Sequence, residues 1–519
     1  MAAGSGSLLA TLADTGFLVT TLARRGLIAP GPPVRVVRQL DQLRRWGFGL
    51  AGELRQAAAR QPDRVAVIDD DGSRTYAELL DRSEKLARAL EVGPGDRVGV
   101  LFRNSAAMIE TLVAVTTVGA DPVLLNTGLS GPQLTAVARD QGLRRIVHSA
   151  DFDLGELGCG IPEQELEKLI AGAPAGRLTP PARPGRTIVL TSGTTGVPKG
   201  ARRPTPGGFG PLASIIDRIP LRAGARLMIA APLFHTWGFA GLQIALALQA
   251  TIVLRRKFDP AAVLRTLDEQ RCTGLIAVPV MLQNMMELPA DGGTPPLSVV
   301  AVSGSALPGG LAARFMDRFG DVLYNLYGST EASWASIATP ADLRAAPGTA
   351  GRPPHGTRVA VLDQSGMAVP TGRPGRLFVG NEMLFEGYTN GAAKEVRDGL
   401  LATGDVGHLD AAGRVFVDGR EDDMIVSGGE NIFPAEVENL LADLPEVLEV
   451  AVIGVPDKAY GQRLAAYLVL HPGSALDEEQ VREHVRRFRA RFCVPRDVVF
   501  LPDLPRNATG KILTRDLPR

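Results

Sequence analysis

Cysteine is scarce in this chain: three residues, at 159, 272 and 493, in a length of 519. They lie far apart and without metal-ligand spacing, which excludes a disulfide framework and a cysteine-based zinc site and predicts a reducing, cytoplasmic setting. An excess of charge of one sign is missing as well. Lys+Arg and Asp+Glu both count 56, so no global field draws the chain to nucleic acid. No apolar run reaches the roughly 20 residues a spanning helix needs. The nearest, "SLLATLADTGFLVTTLA", is broken by Asp14 and has Arg24 and Arg25 behind it, the wrong order for a signal peptide. Repeats of 20–50 residues are absent too, which removes solenoids and propellers. What is present is a composition 45% apolar and 22% charged, the balance of a well-packed globular protein long enough for two or more domains.

Three textures follow one another along the chain. From about residue 60 to 310, β-branched runs such as "RVAVID", "RVGVLF", "TGLIAVPV" and "LSVVAVSG" alternate with helical stretches. This alternation predicts parallel sheets covered by helices, with ligands at the carboxyl ends of the strands. After Gly356, "TRVAVLD", "GRLFVGN" and "GRVFVDGR" follow without a long helix and read as a small antiparallel β-region. Past Arg420, "PAEVENLLADL", "EVAVIGVP", "RLAAYLVL" and "DEEQVREHVRRFRA" make a compact α+β unit. The expected division is a helical appendage over 1–48, an α/β domain over 49–420 and a mobile α+β domain over 421–519. In the appendage Val36, Val37, Leu40 and Leu43 share a helical face roughly opposite Arg38 and Arg45. Packing on the main domain and contact with the inner face of a membrane are both open for it, and a homodimer is a further expectation.

The stretch "RTIVLTSGTTGVPKGAR" (186–202) carries the strongest chemistry. A strand over 187–190 delivers a loop in which Gly193 and Gly196 let backbone N–H groups turn inward. Thr191, Ser192, Thr194 and Thr195 add hydroxyls and Lys199 adds a cation, together an anion nest suited to phosphate. It is not a Walker A sequence, which requires GxxxxGK[ST]. A Ser/Thr-rich surface turn would explain the composition but neither the strand entry nor the lysine. Further segments follow in order: "PLFHTWG", read as ending a strand, with His235 and Trp237, "VSGSALPGG" with Ser303, Ser305 and Ala306, "NLYGSTEAS" with Tyr327, Gly328, Thr330 and Glu331. Then come "ATGDVG", read as presenting Asp405 in a turn, "GREDDMIVSGGENIF" with Arg420, Asp422, Gly428 and Gly429, and "LPRNATGKILTR" with Lys511.

Taken together, residues 50 to 519 resemble the adenylate-forming superfamily of acyl-CoA synthetases, aryl-CoA ligases, luciferases and peptide-synthetase adenylation domains. The resemblance implies two half-reactions: a carboxylate attacks the α-phosphate of ATP, pyrophosphate leaves, and CoA then takes the acyl group from the acyl-AMP. Charge develops on several oxygens at once, so the cations must be preplaced. By resemblance, residues 191–196 and Lys199 hold phosphate and Thr195 takes part in catalysis. Glu331, with Thr191 as a second candidate, binds Mg²⁺. Ser305, Ala306, Gly328 and Thr330 line the nucleotide site and Tyr327 stacks on adenine. Asp405 and Arg420 take the ribose. His235 gates the acyl and thiol channels, and Gly428 and Gly429 line the pantetheine tunnel. Lys511 serves adenylation, and Asp422 is the hinge about which the C-terminal domain turns between half-reactions. Cys493 stands where many relatives carry lysine, and "TGRPGRL" lacks a glutamate common among them.

Residues 236–250 and 278–286 should wall the acid pocket, with Trp237, Gly241, Met281, Ser303 and Gly328 as substrate contacts. Small and soft apolar residues there predict a medium- or long-chain fatty acid. The alternatives are an aryl or other carboxylic acid–CoA ligase and an acyl-AMP ligase loading a carrier protein. A non-enzymatic nucleotide- or lipid-binding protein would lack Lys199, Glu331, Asp405 or Lys511, and all four are present.

Overall fold

A computed structural model describes residues 3–155, 157–191, 198–289, 295–427, 430–458, 460–507 and 510–518. The expected alternation of strand and helix builds two sheets. The larger has eight strands in the order Ser336–Ala338, Leu323–Tyr327, Val299–Val302, Gly274–Ala277, Arg226–Ile229, Thr251–Val253, Val65–Asp69 and Gly72–Thr75. Its inner pairs are parallel and its two outermost pairs antiparallel. The second has six strands, ordered Gly160–Pro162, Arg145–His148, Arg97–Leu101, Asp121–Leu124, Ile188–Thr191 and Lys199–Arg202. Strands such as Val299–Val302, buried along their whole length, read as continuous apolar runs because helices cover both faces.

Local signals set the helix starts. Thr75 and Glu78 form a reciprocal capping box at the start of Tyr76–Ala89, and Asp477 and Gln480 do the same for Glu478–Phe488. The antiparallel region follows as a five-stranded sheet, and the C-terminal unit as another five-stranded sheet with its own core around Ile432, Val437, Leu464 and Val481.

The N-terminal appendage forms helices Ala3–Arg24 and Pro33–Trp46. Leu22 and Leu43 are buried, and the Arg55 guanidinium lies 3.6 Å from the Trp46 ring centroid. Val34, Val37 and Leu40 remain exposed, so the expected apolar face divides between packing and solvent. No described helix is long and apolar enough to cross a membrane.

Two local expectations are corrected. Asp405 lies in the strand Leu400–Leu409, not in a turn. Gly404, at φ +85°, bends the chain without ending the pairing, which sets Asp405 opposite Arg420 of the strand Val415–Arg420. His235 does not end a strand. The strand stops at Ile229, and a loop over 230–234 leads to His235 as the N-cap of the helix Thr236–Ala247.

Candidate active site

The carboxyl ends of the parallel strands converge on one cavity of about 670 Å³. Thr191, Ala231, Val278, Ser303 and Gly328, each at or just past a strand end, line it, as expected for ligand sites in open α/β sheets. Of the residues singled out in the sequence, Thr191, Lys199, His235, Trp237, Ser303, Gly328, Thr330, Glu331, Arg420, Asp422 and Lys511 reach the same cavity. Residues more than 300 positions apart thus face a single space. Ser192, Gly193, Thr194, Thr195, Gly196, Gly428 and Gly429 lie outside the described residues.

Glu331 is buried, and its Oε1 accepts a 2.6 Å hydrogen bond from the Tyr388 hydroxyl. Burial, and then the neighbouring Glu331, push the Tyr388 phenol up, so it stays a donor. Lys199 Nζ sits 5.9 Å from the Tyr388 ring centroid. Beneath this group lies Arg203. Its guanidinium donates to the Thr330 carbonyl and, at 2.7 Å, to Ser333 Oγ. Burial lowers its pKa to about 10, with Glu331 opposing the shift; at neutral pH it is a fixed cation behind the carboxylate. Ser333, at φ +63°, turns the chain tightly. A side chain at Gly328 would meet the Ser333 carbonyl oxygen at 2.2 Å, so only glycine fits.

His235 is held from below. Asn104, buried, donates to the Ile229 and Ala231 carbonyls at 3.1 and 3.0 Å and accepts from the Leu233 N–H at 2.8 Å. The loop before His235 therefore has one conformation. His235 Nε2 has no protein partner among the described residues, and burial lowers the imidazole pKa to about 4. It is neutral at physiological pH. The unfolded imidazole binds a proton below pH 6.5 while the folded one does not until about pH 4, so stability is lost as pH falls through that window. Against His235→Gln, the wild type is expected to lose about 3 kcal/mol between pH 6.5 and pH 4, measured by urea unfolding at stepped pH.

Several expected contacts are not on the cavity wall. Tyr327 packs beside Val359 and Ala332, and its hydroxyl donates to Asp405 Oδ2 at 2.5 Å. Burial first, then Asp405, raise the Tyr327 phenol far above its ordinary value. Asp405 is buried behind the wall, 3.6 Å from Arg420 Nη1, while Thr403 and Arg420 line it. Ser305 and Ala306 are exposed and do not line it. Met281 is in the core. Gly241 is also misassigned: a Cβ there would point at Ile276 Cδ1, 2.8 Å away, on the sheet side of its helix. The helix instead lines the cavity with Thr236, Ala240, Gln243, Ile244 and Ala247, the i, i+4, i+7, i+8, i+11 positions of one face. Ala240→Trp is therefore expected to narrow the range of accepted acids while small acids still turn over. Gly241→Trp should instead destabilise the fold by about 1–3 kcal/mol or more through overpacking. Chain-length profiles and unfolding curves of both variants check this.

Arg203, Tyr388, Lys394 and Glu53 line the cavity but were not singled out in the sequence. Only "KGARR" (199–203) hinted at Arg203, through its nearness to the loop.

The description "AMP-binding enzyme" matches residues 54–389, and "AMP-binding enzyme C-terminal domain" matches 436–511. A feruloyl-CoA synthase of Amycolatopsis is 34% identical over 89% of this chain and 97% of its own length. An indoleacetate–CoA ligase of Aromatoleum aromaticum is 34% identical over 89% and 96%. Among solved structures, the o-succinylbenzoate CoA synthetase of Bacillus subtilis with its acyl-adenylate intermediate superposes with a TM-score of 0.81 at 29% identity, covering 90% of this chain and 98% of that one. The same synthetase is known with ATP and a magnesium ion. The chain belongs to the AMP-binding enzyme family, in the CoA-ligase branch of the adenylate-forming superfamily. It is an acid–thiol ligase working through an acyl-AMP, with ATP, Mg²⁺ and CoA as the cosubstrates and metal of the reaction.

Proposed function

We propose that the acid is aromatic, and that the chain is an aryl or arylalkyl carboxylic acid–CoA ligase. The observation that carries this is the lining of the acid half of the cavity. Phe48, Phe209 and Trp237 offer flat aromatic walls, and the far end holds two polar side chains, Gln243 and Glu53. The Trp237 indole N–H is tied to the Ala277 carbonyl at 3.0 Å, which fixes the plane of its ring, and Phe48 meets Phe209 edge-on at 5.0 Å. Rigid rings select a planar substrate. A bare alkyl chain reaching this end would leave Gln243 without a protein partner among the described residues and the buried Glu53 with only its long bond from Gln56. An under-satisfied buried polar group costs about 1–3 kcal/mol. The relatives described above carry names of aromatic acids, which supports the same choice. The fatty-acid expectation rested on the small and soft apolar residues of 236–250 and 278–286, of which Gly241, Ala245, Met281 and Met285 do not line the cavity.

In this reading the carboxylate lies near Thr236 and Thr330, whose hydroxyls are 2.8 Å apart. Lys511 and Lys199 flank the α-phosphate and place positive charge where it becomes negative. His235 excludes water until the thiol arrives. Mg²⁺ fits the donors present. Glu331 Oε2 takes no hydrogen bond from the described residues, and those residues hold no cluster of three or more His, Cys, Asp or Glu side chains. One hard carboxylate on an open cavity suits a cation that keeps waters and phosphate oxygens around it. When bound, Mg²⁺ would neutralise the phosphate oxygens; Glu331 would hold it, with Thr191 as a second oxygen donor. Asp405 would serve the ribose through Arg420 and the strand it anchors.

The test is thioester formation from a panel of straight-chain acids of graded length alongside benzoic, phenylacetic, cinnamic and indoleacetic acids, with ATP and CoA. The expected result is AMP release and thioester from aromatic acids with kcat/KM above that of every alkyl acid. Higher values for long alkyl acids would reverse the substrate assignment, and accumulation of adenylate without CoA consumption would favour a carrier-loading ligase.

A further inference from the structure

The helix Leu50–Arg60 carries a carboxyl group that the chemistry described so far does not use. Glu53 is 5% exposed, yet it lines the same cavity as His235 and Lys511. Its Oε2 accepts one 3.2 Å bond from Gln56 Nε2, which is also drawn to the Leu246 and Ala247 carbonyls at 3.2 and 3.4 Å. Two amide protons thus serve three acceptors, and Glu53 is weakly held. Cations are directed elsewhere. Arg55 pairs with Glu84 at 2.9 Å, Arg203 turns to Thr330 and Ser333, and Glu53 takes part in no ion pair among the described residues.

Its place along the cavity is fixed by the helix Thr236–Ala247. The N-terminal end of that helix is tied to the reacting end of the site, where Thr236 meets Thr330. The C-terminal end meets Gln56, and Ala247 lines the cavity beside Glu53. Twelve residues of helix separate the two ends, about 16–18 Å at 1.5 Å per residue. One turn before Ala247, Gln243 also faces the cavity, and its amide has no protein hydrogen-bond partner among the described residues. A weakly satisfied carboxyl and an unpaired amide therefore sit together at the end of the acid channel farthest from the adenylating groups.

We propose that Glu53 is a specificity-determining residue whose carboxyl group hydrogen-bonds a hydroxyl or ring N–H that the acid carries at the end remote from its own carboxylate. The proposal rests on the aromatic-acid reading above and deepens it, from an aromatic acid to one bearing a distal hydrogen-bond donor. Burial without a cation keeps the Glu53 carboxyl largely protonated at neutral pH, its pKa raised to about 8. In that form it both donates and accepts, and it meets a neutral hydroxyl without burying a net charge. A site built to bond such a group discriminates against the analogue lacking it, because its own polar atoms are then left unpaired.

The experiment measures dissociation constants of cinnamic acid and 4-hydroxycinnamic acid by calorimetry with the full chain and AMP. It compares the wild type, Glu53→Leu and Glu53→Gln, with thermal melts confirming that each variant is folded. The wild type should bind the hydroxylated acid about tenfold tighter or more. Glu53→Leu should bring the ratio to about one, mainly by weakening the hydroxylated acid, and Glu53→Gln, which keeps a donor and an acceptor in the same place, should preserve most of it. A wild type that binds both acids equally, or a Glu53→Leu ratio within about twofold of the wild-type ratio, overturns the proposal. Absence of turnover with aromatic acids while the binding ratio still responds to Glu53 would reject the substrate reading and leave the Glu53 assignment standing.

Discussion

Lys511→Ala is expected to lower the rate of acyl-adenylate formation from acid and ATP by about 10²–10³-fold, the cost of losing one preplaced charge on a developing anion. Lys511 lies on the cavity wall with His235 and Glu331. Its backbone N–H is fixed by Asn507 Oδ1 at 2.9 Å, and a Cβ at Gly510 would come within 2.3 Å of Val280 Cγ1. The C-terminal unit therefore brings this lysine against the large domain, the arrangement we propose for adenylation. We propose a different arrangement for thiol attack, with rotation about Asp422 as the route between them. The same variant given preformed acyl-adenylate and CoA should form thioester at close to the wild-type rate. Asp422→Pro should show the opposite split. Proline fixes φ near −65°, and the backbone bonds of this turn are donated by Glu421 and Asp423, to Gly404 and Arg420, so hinge freedom is what the substitution removes. Equal slowing of both half-reactions by Lys511→Ala would refute domain alternation.

Arg203→Met should be the most destabilising single change in the site, by about 3–5 kcal/mol. It removes the cation from a buried network and leaves the Thr330 carbonyl, Ser333 Oγ and the Glu331 carboxylate uncompensated. Unfolding in urea measures that loss. Magnesium dependence provides a second reading: the variant should need more Mg²⁺ for half-maximal adenylation, because Thr330, next to Glu331, loses its anchor and the carboxylate loses the cation behind it. Arg203→Lys should recover only part of both effects, since one ammonium cannot reproduce the two-pronged donation of the guanidinium. Wild-type stability and magnesium dependence in Arg203→Met would mean that the loop over 330–333 is held by its backbone alone.

The sequence by itself determined the elements and the chemistry available to them. The apolar, β-branched runs of strands such as Val299–Val302, their alternation with helical stretches, and the ordered motifs ending in Lys511 are local patterns, and local patterns survive without knowledge of the fold. Three-dimensional packing decided direction and pairing. Gly241 and Ala240 are neighbours in the same apolar helix, yet one faces Ile276 and the other the cavity, because the sheet takes one side of the helix. Asp405 reads as a turn residue next to a glycine, but register with Val415–Arg420 places it in a strand opposite Arg420. Tyr388 becomes a partner of Glu331, and Arg203 of Thr330, across separations that no spacing rule spans. Glu53 is an ordinary glutamate in an amphipathic helix until the helix Thr236–Ala247 packs on it. Burial without a cation is a property of what surrounds a residue, and only the tertiary structure assembles those surroundings.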